Sequence, residues 1–136
     1  MTARNKTLAR RFLEEAQNQR NTEIVDEMVA PDFIGRTAGI RGVAALKDSI
    51  LENLRSFPDL RVTIDEQLSD GDTVVSRYTA RGTQQGPYHG LEPTGKPVEF
   101  TVIAIHRFAN GKIAEGWRLV DRLDILEQIG RVGVSL

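Results

Sequence analysis

Apolar residues recur at helical spacing in the first half of the chain. Residues 5–19 place their apolar side chains on one stripe with charged residues around it, which predicts an amphipathic helix. A short second helix is expected after a cap at Asn21 or Thr22. A third helix is predicted over residues 43–56, because Pro58 cannot continue it. The pattern therefore predicts three helices before the main run of strands.

After Pro58 the spacing becomes alternating, which is typical of strands. Asp70-Gly71 and Asn110-Gly111 are turn sequences between alternating segments. The Gly/Pro-rich residues 82–97 are predicted to form a long loop with short strand pieces, and residues 29–42 to be irregular. The predicted strands cover residues 60–65, 73–83, 98–108 and 112–121, and a short helix that ends at Gly130 follows them.

Helices that precede the strands, instead of alternating with them, predict an α+β fold. We expect a cone-shaped, curved, mostly antiparallel sheet, with three N-terminal helices enclosing a pocket and a short C-terminal helix. A chain of 136 residues can bury one core, so residues 1–136 are predicted to be a single domain. The space between helices and sheet is expected to bind a small hydrophobic molecule.

Composition excludes several classes of protein. With 18 Lys+Arg against 19 Asp+Glu, the chain has no general attraction for nucleic acid or an anionic membrane. It has no cysteine, which excludes disulfides and Cys-based metal sites, and its two histidines match no zinc spacing. No apolar segment is long enough to span a bilayer, and the N-terminal residues lack the apolar region of a secretion signal. A cytoplasmic protein without a metal is expected.

The main functional hypothesis concerns residues 108–130, FANGKIAEGWRLVDRLDILEQIG. Strand side chains alternate, so Ile113, Trp117 and Leu119 are predicted to share one face, and Asp121 continues it. A carboxylate at the end of an apolar face is unusual, because a lone buried charge is costly. We therefore expect Asp121 to border a ligand pocket.

Three segments, in this order and at these intervals, resemble the SnoaL-like polyketide cyclase family, within the cone-shaped superfamily of ketosteroid isomerase and nuclear transport factor two. They are FPDLRVTIDEQLSDGDTVVSRYTARGT, GLEPTGKPVEFTVIAIHRFANGKIAEGW and VDRLDILEQIG. The resemblance implies an intramolecular aldol closure of the last ring of an aromatic polyketide, without a cofactor. It also implies that Asp121 is the general acid and base.

The chain departs from the family at two polar positions. Arg36, in DFIGRTAG, stands where many relatives carry a histidine, and Gln84, in GTQQG, stands where GTHxG is common. Arg36 is either solvated or directed into the pocket, where it would favour an anionic or enolate-like ligand. The full set of candidate substrate contacts is Phe12, Phe33, Arg36, Gln84, Tyr88, His89, His106, Trp117 and Leu119.

Three polar candidates also have structural interpretations. Asp121 either carries a proton or pairs with a nearby arginine at the strand end. Asp124 is interpreted as a helix cap, because DILE is an Asp-x-x-Glu pattern before apolar residues. His106 lies on the Asp121 face if the turn at Asn110-Gly111 has two residues, and faces away if it has three. A histidine with its hydrogen bonds satisfied, or one at an interface, is the favoured interpretation.

Both faces of the predicted strand 98–108 are apolar, since Val102, Ala104 and Phe108 alternate with Ile103 and Ile105. A sheet with one face in water should alternate with polar residues, so a homodimer through the outer face is expected. Three functions fit the pattern: a cofactor-independent cyclase or related isomerase or lyase, an epoxide hydrolase-like enzyme, and a non-catalytic module for ligand binding or dimerisation.

Overall fold

A computed structural model describes residues 2–131, which form a six-stranded sheet and four helices. The helices are α1 (Thr2–Gln17), α2 (Glu23–Met28), α3 (Gly42–Ser56) and α4 (Arg122–Gln128), and the strands are β1 (Val29–Gly35), β2 (Ile40–Arg41), β3 (Arg61–Asp70), β4 (Thr73–Thr83), β5 (Pro97–Ala109) and β6 (Lys112–Val120).

The sheet is curved and mostly antiparallel, in the order β2-β1-β6-β5-β4-β3, with β1 and β6 as its parallel pair. Helix α1 packs against β3 and β4, and α3 packs against β1, so these helices cover the inner face. The α+β prediction is confirmed. None of the described helices combines the length and apolarity needed to cross a membrane.

The core lies between the helices and the inner face of the sheet. Strand β5 buries every second side chain from Val98 to Phe108. Helix α1 buries its apolar stripe, and Phe57 and Leu60 close the core where α3 gives way to β3. The alternation of period two therefore determines which side chains reach the inner space.

The prediction that residues 29–42 are irregular is wrong, because this segment forms β1 and β2. Strand β1 lies beside β6, and its pairing register shifts between Val29 and Ile34. Pro31 lies inside that shift, where a ladder hydrogen bond is not required. The strand depends on a partner 80 or so positions away, as the Ile34–Glu115 pair illustrates, so local sequence carries little signal for it.

The β5–β6 hairpin turns through two residues, Asn110 and Gly111, which both have positive φ angles of 52° and 77°. Such a turn matches the twist of the flanking strands. Ile113 then pairs with Phe108 but Glu115 pairs with Arg107, so Ala114 is the extra residue of a β-bulge. The bulge reverses the alternation, and the predicted common face of Ile113, Trp117 and Leu119 is wrong.

Candidate functional site

An apolar cavity of about 100 Å³ lies between α1, α3 and the inner face of the sheet. We call it the inner cavity. Two aromatic candidates from the sequence, Phe12 on α1 and Phe33 on β1, line it, as do aliphatic residues of α3. Four side chains provide its main polar groups: Gln17, Tyr78, His106 and Arg118.

His106 projects from β5 into this cavity and is only 7% exposed. Phe12 meets its ring edge-on, with the ring centroids 5.7 Å apart. Gly116 lies opposite on β6, where an added Cβ would approach the Phe33 ring to 3.2 Å, so the glycine leaves room for both rings. The Nδ1 atom of His106 has no hydrogen-bond partner within the described residues.

Burial lowers the pKa of His106 to about 4, because the charged imidazolium loses its hydration. The ring is therefore neutral at pH 7. A neutral imidazole with a free nitrogen can accept or donate one hydrogen bond to a ligand, and it can accept a proton. The favoured sequence interpretation, a satisfied or interface histidine, does not describe this position, because Nδ1 has no partner among the described residues and the ring lies at the inner cavity.

A short polar chain crosses the cavity wall at Tyr78, whose hydroxyl is fully buried. Its oxygen lies 3.4 Å from Gln17 Nε2 and 3.3 Å from Arg118 Nε, and both nitrogens donate to it. The Oε1 atom of Gln17 has no partner in the described part of the chain. Two buried polar atoms of residues that line this cavity, Gln17 Oε1 and His106 Nδ1, thus lack a hydrogen-bond partner within the described residues.

A second, wider space of about 460 Å³ adjoins the inner cavity, and we call it the mouth. Thr37, Asn53 and Arg118 line both spaces, so one leads into the other. Across the mouth, Arg118 and Arg122 face the exposed Asp48 and Glu52 of α3. The site is therefore apolar inside and charged at its entrance.

Tyr88 and His89 lie in the loop between β4 and β5 and line the mouth. Their rings meet edge-on at 4.6 Å, and Tyr88 also packs against Phe57. Burial raises the pKa of the Tyr88 hydroxyl, although the nearby Arg122 and Arg118 oppose that change. The expectation that this loop rims the cone holds for these two residues.

Gln84 was expected at the pocket, and the structure corrects this placement. The side chain is fully buried inside its own loop. Its Nε2 donates to Gly86 O and Glu92 O, at 3.2 and 3.0 Å, and its Oε1 accepts from Thr94 N and Oγ1, at 3.0 and 2.7 Å. The amide holds the loop together and does not border either cavity.

Three other candidates lie on the outer face of the sheet. Arg36 pairs with Glu115 at 2.6 Å instead of entering the pocket, and this contact lowers the pKa of Glu115. Leu119 is 65% exposed. Trp117 borders the inner cavity, but its indole packs under the Arg107 guanidinium, 5.2 Å from the ring centroid. The bulge at Ala114 is the reason why Leu119 and Trp117 face outward.

Asp121 is exposed and lies just beyond β6, at the N-terminal cap of α4. Its Oδ1 accepts a hydrogen bond from Asp124 N at 3.2 Å. Asp121, not Asp124, is therefore the cap residue, and the prediction for Asp124 is wrong because the helix begins three residues earlier than expected. Asp121 lines neither the inner cavity nor the mouth, although its neighbours Val120 and Arg122 line the mouth.

Sequence reasoning missed Gln17, Tyr78 and Arg118 as site residues. Gln17 lies four positions after Leu13, which puts it beside the apolar stripe of α1, and that spacing was a usable signal. Arg118 reaches the inner face only because of the bulge, which has no clear sequence signature. Within residues 2–131, no three acidic or histidine side chains are grouped so as to hold a metal ion.

The family model for SnoaL-like polyketide cyclases matches residues 7–129, almost the whole chain. The chain belongs to the SnoaL-like polyketide cyclase family. Comparison with curated proteins finds no significant match. The resemblance seen in the sequence is confirmed for the family and for the fold.

Solved structures similar to this SnoaL-like protein share its fold over most of its length. TsrD from Streptomyces laurentii has 23% identity and a TM-score of 0.89, covering 97% of this chain and 99% of its own. IdmH from Streptomyces antibioticus, a candidate polyketide cyclase, has 30% identity and a TM-score of 0.80, covering 93% and 98%. AclR from Streptomyces galilaeus, a candidate hydroxylase, has 23% identity and a TM-score of 0.87, covering 100% and 87%.

Proposed function

We propose that this SnoaL-like protein is a cofactor-independent enzyme that closes a ring, or performs related isomerase or lyase chemistry, on a small hydrophobic carbonyl compound. The observation that carries the proposal is His106, a neutral histidine that lines an apolar cavity and whose Nδ1 has no partner among residues 2–131. Cavities of this kind, apolar with a few convergent polar groups, are the usual form of ligand sites.

An intramolecular aldol closure needs only proton transfers. A base takes a proton from a methylene flanked by two carbonyls. The resulting carbanion attacks the carbon of another carbonyl elsewhere in the same molecule. The C–C bond forms as that C=O bond opens, and the alkoxide oxygen takes up a proton. The flanking carbonyls already make the methylene acidic, so a weak base is sufficient.

His106 is our first candidate for the proton carrier. Its neutral ring can take the methylene proton in the cavity and return it to the alkoxide, because one group can serve as base and then as acid. The imidazolium formed between these steps would lie beside the enolate, whose charge compensates the loss of hydration. Gln17 Oε1 could accept a hydrogen bond from a substrate hydroxyl in the same space.

Asp121, which the family resemblance implies as acid and base, is the second candidate. Val120 and Arg122, on either side of it, line the mouth, and this favours a contact between its exposed carboxylate and a ligand that extends out of the inner cavity. The same carboxylate caps α4. The chemical role and the capping role therefore have to be separated by experiment.

The test compares the wild type with His106→Gln, Asp121→Asn and Asp121→Ala. Gln and Asn cannot carry the proton, and Asn caps a helix as well as Asp, whereas Ala is expected to cost about 1 kcal/mol of stability. Turnover of 1,3-dicarbonyl aryl substrates would be measured by product formation, ligand binding by thermal shift, and stability by urea unfolding.

Loss of turnover in His106→Gln, with ligand binding retained, would support His106. Loss in Asp121→Asn at unchanged stability would assign the proton transfer to Asp121 instead. A wild type that binds these compounds but never converts them would favour the non-catalytic ligand-binding module, for which the capping role of Asp121 is the supporting observation.

We also propose that the protein forms a homodimer through the outer face of the sheet. Leu68, Val75, Ile105 and Trp117 are paired in turn across four strands, and Ile103 pairs with Leu119 beside them. Leu68, Ile103 and Leu119 are exposed. A contiguous apolar surface of this kind favours a partner subunit.

A further inference from the structure

Two arginines at the mouth have no acidic partner in the described part of the chain. Arg118 donates through Nε to the neutral hydroxyl of Tyr78, and Arg122 makes no ion pair within residues 2–131. Several other arginines of the chain do pair with carboxylates, among them Arg11, Arg36 and Arg107. A guanidinium group presents up to five donors in a planar fork, so both residues can still bind an anion.

The two arginines border one space. Both line the mouth, and both lie near enough to the buried Tyr88 hydroxyl to act on its ionisation. Arg118 is half-buried, and its backbone is fixed by a bond from its N–H to Thr37 Oγ1 at 3.2 Å. Two cations that border one space repel each other, and an anion between them offsets that repulsion.

The acidic side chains of the mouth lie on the opposite wall. Asp48 and Glu52 are one helical turn apart on α3 and exposed, and neither pairs with Arg118 or Arg122 in the described structure. The entrance is therefore positive along the end of β6 and negative along α3. A singly charged group fits the positive wall, whereas a more highly charged anion would also be repelled by the α3 carboxylates.

We propose that Arg118, Arg122 and Tyr88 bind a carboxylate of the ligand, so that the substrates are free carboxylic acids whose apolar portion fills the inner cavity. Arg118 borders both spaces, which places the carboxylate directly beside the apolar portion. Arginine–carboxylate contacts can be bidentate, which gives orientation as well as affinity. This inference rests on the proposed function, because it concerns the ligand of the same cavity.

The test uses two probes of the same shape, 2-naphthoate and its neutral counterpart 2-acetonaphthone, in isothermal titration calorimetry at pH 7.5 and low salt. We expect 2-naphthoate to bind about tenfold more tightly than the ketone, since charge-assisted hydrogen bonds are the stronger kind. Arg122→Gln should reduce that preference to about twofold or less, and 0.5 M salt, roughly three times physiological ionic strength, should reduce it in the wild type.

Two variants serve as controls. Arg10→Gln removes the same charge from an exposed position on α1 that lines neither space, and it should leave the preference unchanged. Glu52→Gln should keep or increase 2-naphthoate binding, because it removes a repulsive charge. An equal loss of 2-naphthoate binding in Glu52→Gln and Arg122→Gln would overturn the inference, since it would show that the arginines stabilise the fold together with α3 and do not bind the carboxylate.

The two proposals fail in different ways. If the ketone binds and 2-naphthoate binds no more tightly, the carboxylate inference is overturned while the apolar site stands. If neither probe binds the wild type, the inner cavity takes no aryl carbonyl compound, and both the proposed function and this inference are overturned.

Discussion

His106 has lost its contact with water, and this determines its protonation. The imidazole is buried beside Phe12, Phe33 and Gly116, with no carboxylate among the side chains that line its cavity. Burial without a charged partner disfavours the imidazolium. A histidine in this state is a neutral hydrogen-bonding group at pH 7 that can still accept a proton.

His106 should make the protein less stable as the pH falls. Its pKa in the folded state is about 4, below the ordinary value of 6.5, so the unfolded state binds the proton first. The contribution of the neutral His106 to the free energy of unfolding is complete above pH 6.5 and is lost as the pH falls from 6.5 to 4. The full loss is about 3 kcal/mol at 1.36 kcal/mol per pKa unit.

The measurement is urea unfolding of the wild type and His106→Gln between pH 7.5 and 4. Between pH 7.5 and 4, the free energy of unfolding of His106→Gln should fall by about 3 kcal/mol less than that of the wild type. His89→Gln, an exposed histidine at the mouth, is the control and should behave like the wild type. Equal pH dependence in all three proteins would mean that His106 is hydrated.

The β4–β5 loop is an element ordered by one buried amide. Gln84 satisfies backbone groups at Gly86, Glu92 and Thr94, and Gly86 lies against the end of α3, where a Cβ would come within 2.0 Å of Arg55 O. These contacts hold Tyr88 and His89 at the mouth. The loop therefore contributes Tyr88 and His89 to the mouth, whereas Gln84 itself does not line it.

Replacing Gln84 should loosen this loop and destabilise the protein. Gln84→Leu has a similar volume but leaves buried backbone groups unpaired, which we expect to cost about 2–3 kcal/mol. Hydrogen exchange should increase between residues 84 and 96, and urea unfolding should give the stability change. Gln85→Leu, at the exposed neighbouring position, is the matched control. Similar stability of the two variants would contradict the role assigned to Gln84.

At the scale of the whole molecule, the two faces of the sheet differ in what they carry. The inner face builds the cavity, while the outer face carries the apolar row across β3–β6. Arg36, Arg107 and Glu115 form an ion-paired network beside that row. An apolar area bordered by charges is the usual arrangement of a subunit interface, with a dry centre and a polar rim.

Leu119→Lys should therefore convert a dimer into a monomer. The side chain is 65% exposed in one chain, so the substitution costs the isolated chain little, but a lysine in a dimer interface would be desolvated without a partner. Analytical ultracentrifugation at micromolar concentration measures the change. Leu51→Lys, an exposed leucine on α3, should leave the mass unchanged. A wild type that sediments as a monomer would remove the dimer proposal.

The amino-acid sequence by itself determined the elements with strong periodicity and turn chemistry. Helix α1, helix α3 with its end before Pro58, and strands β4 and β5 were predicted within a few residues. The α+β class and the family followed from the order of these segments. These features depend on interactions between residues close in sequence, and such interactions can be read locally.

Only the tertiary structure decided which residues form the site. Strand β1 exists through its pairing with β6, and the bulge at Ala114 turned Trp117 and Leu119 outward and Arg118 inward. One inserted residue reverses every later side chain of a strand, because the alternation has a period of two. The sequence therefore indicated the pocket and its family, whereas His106, Tyr78 and Arg118 were brought together by the register of the β5–β6 hairpin.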